Sequence, residues 1–188
     1  MTTTAVLAIV SLVGTACYLL LVAGLHFLPT GLHPVHHPVS GYTTTRYGHL
    51  NKIGLLAGGI GTLALAAATR LNVSAVTEAV VLLAVAGGCR LLLISITTDQ
   101  VDGPRTERGR LHLLLAIAYF AALVITMTDV PVAGQVGTWL GYIAIAATIL
   151  LVLSSSRDRY FGLIERVLLA ATQCWLLLDA ARLVAQSR

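Results

Sequence analysis

The sequence predicts an all-α polytopic membrane protein, a bundle of six transmembrane helices in a single domain spanning 1–188. Three observations carry this. Hydrophobic residues make up 57% of the 188 residues and charged residues only 11%, against roughly 25% charged in a soluble domain. Mean hydropathy is +0.87. The apolar residues gather into six runs, each within the ~17–25 residues that cross a bilayer as helix. Backbone polar groups must be satisfied internally in lipid, so these runs read as helices. Disorder is excluded, because a disordered chain is poor in apolar residues and rich in charge.

The spans fall at 5–28, 49–69, 75–96, 109–127, 136–153 and 161–185. The first follows Met1-Thr2-Thr3-Thr4. It has no basic n-region and is too long for a signal peptide's apolar core, so it reads as a retained span. The second carries Gly54, Gly58 and Gly61, with Gly59 alongside; small residues at such steps let helices approach closely. Arg90 lies about seven residues inside the end of the third, roughly 10 Å deep at 1.5 Å per residue. A cation that deep costs ~2.5–3.5 kcal/mol on insertion scales. Pairing with Glu165 or Asp99, snorkelling to the headgroups, and binding an anionic head all remain open for it. The fourth span shows His112, Tyr119 and Thr126 at seven-residue steps, and the sixth shows Glu165, Thr172 and Asp179 likewise. Residues seven apart share a helix face, so each helix should turn one polar stripe to the bundle interior. Asp179 and Arg182, three apart, should neutralise one another. Trp139, Tyr142, Tyr160 and Phe161 sit near span ends, as interfacial aromatics do. Cys17, Cys89 and Cys174 lie in apolar stretches without CxxC spacing, and read as small buried hydrophobes.

If all six helices span, the odd-numbered loops share one membrane face. The first (29–48) and third (97–108) are long and polar, the fifth (154–160) short and charged; the second (70–74) and fourth (128–135) are short and nearly uncharged. The odd-loop face then collects Arg46, Lys52, Arg105, Arg108, Arg110, Arg157 and Arg159, against Arg70, Arg182 and Arg188 opposite. Basic residues in short loops mark the cytoplasmic side, which places the odd loops in the cytoplasm of a cell-membrane protein. The same face gathers His33, His36, His37, Ser40, His49, Asp99, Asp102 and His112. Net charge is +4, and eleven of the twelve basic residues are Arg. Arg grips phosphate and carboxylate as a fork where Lys does not. Asn72-Val73-Ser74 matches a glycosylation sequon, a pattern that also arises by chance. Thr45-x-x-Gly48-x-Leu50 and Thr106-x-x-Gly109-x-Leu111 repeat faintly; helix capping by Thr accounts for this, and so would descent from a repeated two-helix unit.

Several chemistries can be built from that face. His37, His49, Asp99 and His112 are candidate metal ligands, since a catalytic zinc takes three protein ligands and an open position. No HxxxH or HExxH spacing supports the set. A haem held between His49 and His112 is disfavoured, because two histidines at one depth are common. No cofactor is therefore predicted, zinc being the ion such a set would suit. Ser40, His112 and Asp99 could act as nucleophile, base and orienter, though no GxSxG elbow surrounds Ser40. The glycine-rich runs lie inside apolar spans, so neither a phosphate loop nor nucleic-acid binding is supported.

The segments His37-Pro38-Val39-Ser40-Gly41-Tyr42, Arg46-Tyr47-Gly48, Arg90-Leu91-Leu92, Thr98-Asp99 and Thr106-x-x-Gly109-x-x-His112 resemble the prokaryotic six-span membrane family known as domain of unknown function 998. The resemblance implies a characteristic set of Ser40, Gly48, Arg90, Asp99, Thr106, Gly109 and His112, and no activity. His33, His36 and His49 depart from the family pattern, as does Thr98 where the family usually has Pro. The leading expectation is a binding or accessory protein rather than an enzyme. It would hold an amphiphile or lipid headgroup through Ser40, Arg46, Tyr47, Arg90, Asp99, Thr106 and His112. An intramembrane metal- or serine-dependent hydrolase is the alternative. A transporter, which favours deep charges and broken helices, ranks last. Membrane lipids and an anionic amphiphile are the expected partners.

Overall fold

The computed structural model describes residues 1–72, 77–100, 103–130, 132, 134–154 and 159–187. Among them are six α-helices and no strand: α1 (Thr3–Leu25), α2 (Gly48–Leu71), α3 (Thr77–Leu92), α4 (Glu107–Asp129), α5 (Gln135–Leu153) and α6 (Phe161–Gln186), with a short 3-10 helix, Val39–Thr44, in the first loop. All but α3 are long and apolar enough to cross a membrane, so this is a multi-pass membrane protein. The described part of α3 has 16 residues, or ~24 Å at 1.5 Å per residue, against a hydrocarbon core of ~30 Å. Its expected first residues, 75 and 76, lie outside the described set, as do Val73 and Ser74 of the sequon, Asp102, Arg157 and Arg188. The expected end at 96 is shorter as helix: beyond Leu92 the amides of Ile94 and Ser95 bond three residues back, to Leu91 and Leu92, which tightens the last turn.

Consecutive helices pack side by side from α1 to α4, and α6 returns against α1 and α5, so the chain closes into a ring. The α6 helix also touches α2 and α4 and buries eleven residues, Trp175, Leu176 and Gln173 among them. Small residues set the close crossings. A Cβ at Gly14 would overlap the carbonyl of Ala57 and meet the Cα of Gly61 at 3.0 Å. A Cβ at Gly59 would strike Leu91. The span-two glycines therefore work as packing surfaces, as their spacing predicts. The α5 helix buries only Gly137, Gly141, Ala144 and Ala147, at steps of four and three. Its remaining surface, with Val152 and Leu153 more than three-quarters exposed, is apolar and suited to lipid.

The expected polar stripes do face inward. His112, Tyr119 and Thr126 of α4 are buried, as are Thr172 and Asp179 of α6. Thr126 and Thr172 donate to Ala122 and Leu168 carbonyls of their own helices. Asp179 accepts from Arg182 Nε at 2.9 Å and Nη2 at 2.6 Å, the intrahelical pair expected from their spacing. Trp139 and Tyr142 stay about 60% exposed with rings 5.9 Å apart.

If backbone approach at Gly14 sets the α1–α2 crossing, Gly14→Val should destabilise the protein by ~1–3 kcal/mol, the usual cost of overpacking. Gly24→Ala on the same helix, where an added Cβ meets nothing within 4 Å, should leave thermal unfolding in detergent unchanged or slightly raised.

Candidate functional site

Three groups of polar residues lie toward the odd-loop end of the bundle. The first closes the third loop onto α4. Asp99 accepts from the Thr106 amide at 3.0 Å and from its hydroxyl at 2.5 Å. Thr106 Oγ1 in turn caps α4 by accepting from the Gly109 amide at 3.1 Å, the arrangement expected of an N-cap threonine. A Cβ at Gly109 would run into the Asp99 carboxylate. Arg108 donates to the Ser95 carbonyl, and His112 Nδ1 to the Ile96 carbonyl at 2.7 Å. The Thr-x-x-Gly-x-x-His segment thus has a mechanical reading: cap, clearance and loop anchor. The Thr106 hydroxyl, then its amide, hold the Asp99 carboxyl below its usual range, with a smaller contribution from the charges at His112 and Arg105.

The second group fastens the first loop to the start of α6. Arg166 Nε donates to His26 Nε2 at 2.7 Å, Nη1 to the His37 carbonyl at 2.8 Å, and Nη2 to the Tyr42 hydroxyl at 3.2 Å. Because His26 Nε2 accepts, the ring proton sits on Nδ1, which donates to the Val22 carbonyl at 2.7 Å. Glu165 Oε2 accepts from the Val39 amide at 2.7 Å, and the Leu163 amide donates to Val35. The loop histidines are absorbed locally. His36 Nδ1 donates to the Arg159 carbonyl at 2.5 Å, His37 Nδ1 accepts from the His33 amide at 2.7 Å, and the His33 and His36 rings stack at 4.4 Å.

The third group sits in the middle of the ring. Arg90 is fully buried, although it springs from near the end of α3. Its Nη1 donates to Gln173 Oε1 of α6 at 3.0 Å. The guanidinium carbon lies 3.7 Å over the Tyr18 ring of α1 and 5.4 Å from that of Tyr119 on α4. Gln173 Nε2 donates to the Tyr119 hydroxyl at 2.9 Å. On the α2 side, a Cβ at Gly58 would overlap the guanidinium. Arg90 therefore pairs with neither Glu165 nor Asp99 and does not snorkel: among the described residues the ion pairs are Arg110–Glu107 and Arg182–Asp179. Its Nε and Nη2 have no hydrogen-bond partner among the described residues. Those two nitrogens form one edge of the guanidinium, with parallel N–H bonds that match a carboxylate or phosphate.

The sequence candidates accordingly separate. Asp99, Thr106 and His112 stand together at the α4 cap. Arg90 is joined to Gln173, Tyr18 and Tyr119. Ser40, half-buried in the 3-10 helix, has its carbonyl bound by the Thr43 hydroxyl at 2.5 Å, and no hydrogen bond links it to His112 or Asp99. Exposed Arg46 donates to Tyr47 at 2.5 Å and lies over its ring. His37 stands in the first loop, and His49 is exposed on α2. Among the described residues no group of three or more His, Cys, Asp or Glu side chains is placed to hold a metal ion. The sequence argument missed Tyr18, His26, Tyr42, Asn51, Arg166 and Gln173 as site residues. A signal for one of them was present: Ser11, Thr15 and Tyr18 follow steps of four and three on α1 and are all buried.

Two expectations test these placements. Arg166→Leu removes every tie from that side chain to the first loop, so amide hydrogen exchange across 26–47 should speed up while α2 and α4 keep their protection. Asp99 stabilises the third loop only while ionised. An unfolded Asp99 takes its proton in the usual carboxylate range and the folded one at lower pH. The stabilisation is therefore complete above that usual value and is lost as pH falls through the lowered folded value. Exchange of the Thr106 amide in the native protein should follow this sign, and Asp99→Asn should weaken its protection at neutral pH.

Comparison with known proteins adds one assignment. No curated protein and no solved structure matches this chain. The family model described as Protein of unknown function (DUF998) matches residues 5–182, which takes in all six helices except the first two residues of α1 and the end of α6. The chain belongs to that membrane family.

Proposed function

We propose that this protein is an integral membrane binding or accessory protein that holds the oxyanion of an amphiphile, a phosphate or carboxylate head, on Arg90. The observation that carries the reading is the free Nε/Nη2 edge of a completely buried guanidinium. A buried donor without a partner costs ~1–3 kcal/mol, and more when charged. Inside a lipid-embedded bundle, water is a poor source of compensation. An oxyanion accepting both N–H bonds would supply the missing partners and the missing countercharge together. Tyr18 below the guanidinium and Gln173 on Nη1 fix the plane of the fork before a ligand arrives, which lowers the ordering cost of binding. Tyr18 belongs to a buried apolar cluster with Val22, Leu55, Leu93 and Leu169, and apolar surroundings with few polar groups are the usual make-up of a ligand site. The odd loops then face the cytoplasm of the cell membrane, in keeping with their arginines, and α3 completes a sixth span.

The hydrolytic alternative has less support from the same geometry. The Asp99 carboxylate is occupied by Thr106 and His112 Nδ1 by Ile96, and neither is joined to Ser40.

The test is native mass spectrometry of the protein purified in mild detergent, comparing wild type with Arg90→Gln. Wild type should retain phosphate- or carboxylate-bearing lipid through purification, and Arg90→Gln should lose it by at least tenfold, equivalent to ~1.4 kcal/mol. Equal retention by a folded Arg90→Gln protein would sink the reading.

A further inference from the structure

The clamp on the first loop depends on one neutral imidazole. His26 follows the last residue of α1 and is half-buried. Both ring nitrogens are committed, Nδ1 to the Val22 carbonyl at 2.7 Å and Nε2 to Arg166 Nε, also at 2.7 Å. A carbonyl only accepts and a guanidinium only donates. The two contacts therefore coexist in one ionisation state, the ring with a single proton on Nδ1. A proton on Nε2 would take away the lone pair that Arg166 uses and set two cations in contact. Among the described residues no carboxylate oxygen lies within ion-pairing distance of either group. The end of α1 favours a cation, so a charged His26 keeps its bond to Val22 and strengthens it. Protonation thus leaves His26 on α1 and separates it from Arg166.

We infer that the first loop is a proton-operated latch, held on α6 while His26 is neutral and loosened when His26 takes a second proton. The guanidinium carries the effect to the loop. It is one rigid plane, and its other two nitrogens hold the loop: Nη1 donates to the His37 carbonyl at 2.8 Å and Nη2 to the Tyr42 hydroxyl at 3.2 Å. Moving Nε off His26 turns the plane that both bonds share. Tyr42 also meets the switch directly, its ring edge-on to that of His26 with centroids 5.6 Å apart. With Val39 it belongs to the buried cluster that contains Tyr18, Val22 and Leu25, so loosening the loop opens that cluster at the odd-loop end. The titratable neighbours are few. The first loop contributes Tyr42, and α6 contributes Glu165, whose charge acts on Arg166. From α2, which packs on α1, His49 and Lys52 stand at the same end, with no hydrogen bond to His26 among the described residues. Imidazole is the group of this set whose ordinary titration falls between pH 5 and 8. Loss of the Glu165 charge would remove a countercharge from Arg166 and act in the same direction.

The experiment is amide hydrogen exchange of the full chain in detergent at about pH 7.5 and about pH 5.5, on either side of the imidazole range. Protection is taken relative to unstructured rates at the same pH, so the intrinsic pH dependence of exchange cancels. Closure is complete while His26 is neutral and is lost as pH falls through the range in which it gains its proton. Wild-type protection across 26–47 should therefore drop by about tenfold or more at the lower pH, as expected for one lost charge-assisted contact, while the middle of α4 keeps its protection. His26→Gln has an amide that can donate to Val22 and accept from Arg166 but takes no proton, and it should flatten the difference. Glu165→Gln, and a variant with His33→Gln, His36→Gln and His37→Gln together, should retain it. The imidazole nitrogen chemical shifts of wild type give a readout that needs no variant to fold: His26 should carry its proton on Nδ1 at the higher pH, and its protonation should share a midpoint with the loss of loop protection. Equal wild-type protection at both pH values, a difference that survives in folded His26→Gln, or a loop transition at a pH where His26 does not titrate overturns the latch. Each of these outcomes leaves the oxyanion reading of Arg90 as it stands.

Discussion

A guanidinium with no countercharge among the described residues, in the centre of a membrane-embedded ring, constrains everything around it. Arg90 leaves α3 near the odd-loop end and reaches the ring's interior, where each neighbouring helix contributes one thing it needs. From α1 comes the Tyr18 ring beneath it, from α6 the Gln173 carbonyl, from α4 the Tyr119 ring and hydroxyl, and from α2 the missing Cβ of Gly58. A desolvated cation over an aromatic face is worth about 2 kcal/mol, and the hydrogen bond to Gln173 adds to that. Neither neutralises the charge. Two of its nitrogens, Nε and Nη2, are left without a hydrogen-bond partner among the described residues.

The loops at that end behave as built structure. Polar side chains in the first and third loops satisfy the helix ends they adjoin, as orphan backbone groups there require. Thr106 caps α4, Asp99 holds Thr106, and Arg166 draws the first loop onto α6 through His26, His37 and Tyr42. Fixing the first loop in this way also fixes Val39, and with it the positions of Glu165 and Asn51. The opposite end has a sparser device, the intrahelical Asp179–Arg182 pair, which holds a buried carboxylate without drawing on another helix.

Histidine was the conspicuous residue type at the odd-loop end, and its roles are divided. His33, His36 and His37 interact with one another and with backbone, His26 receives Arg166, and His112 anchors the third loop. In each, at least one ring nitrogen already has a partner, and in His26 both do, so the rings serve different tasks. Imidazoles gathered in sequence share a ligand only if the backbone turns them to a common point, and spacing without an HxxxH or HExxH period carries no such instruction.

The sequence by itself determined the helical class, the multi-pass membrane character, the inward polar stripes at His112, Tyr119, Thr126, Thr172 and Asp179, the glycine face of α2, and the Asp179–Arg182 pair. All of these follow from hydropathy or from helix periodicity, which are local and additive along the chain. The tertiary structure decided the partners of Arg90, the clamp made by Arg166, and the contacts of Asn51 and Glu165 with Val39. It also separated Ser40, Asp99 and Arg90, which the topology argument had gathered on one face. Periodicity states which side of a helix a residue occupies and at what depth. It does not state which other helix stands opposite. That depends on how six helices close into a ring, and closure is set by backbone approach at positions such as Gly14 and Gly61, by the clearance Gly58 leaves for the Arg90 guanidinium, and by the packing of the first loop on α6.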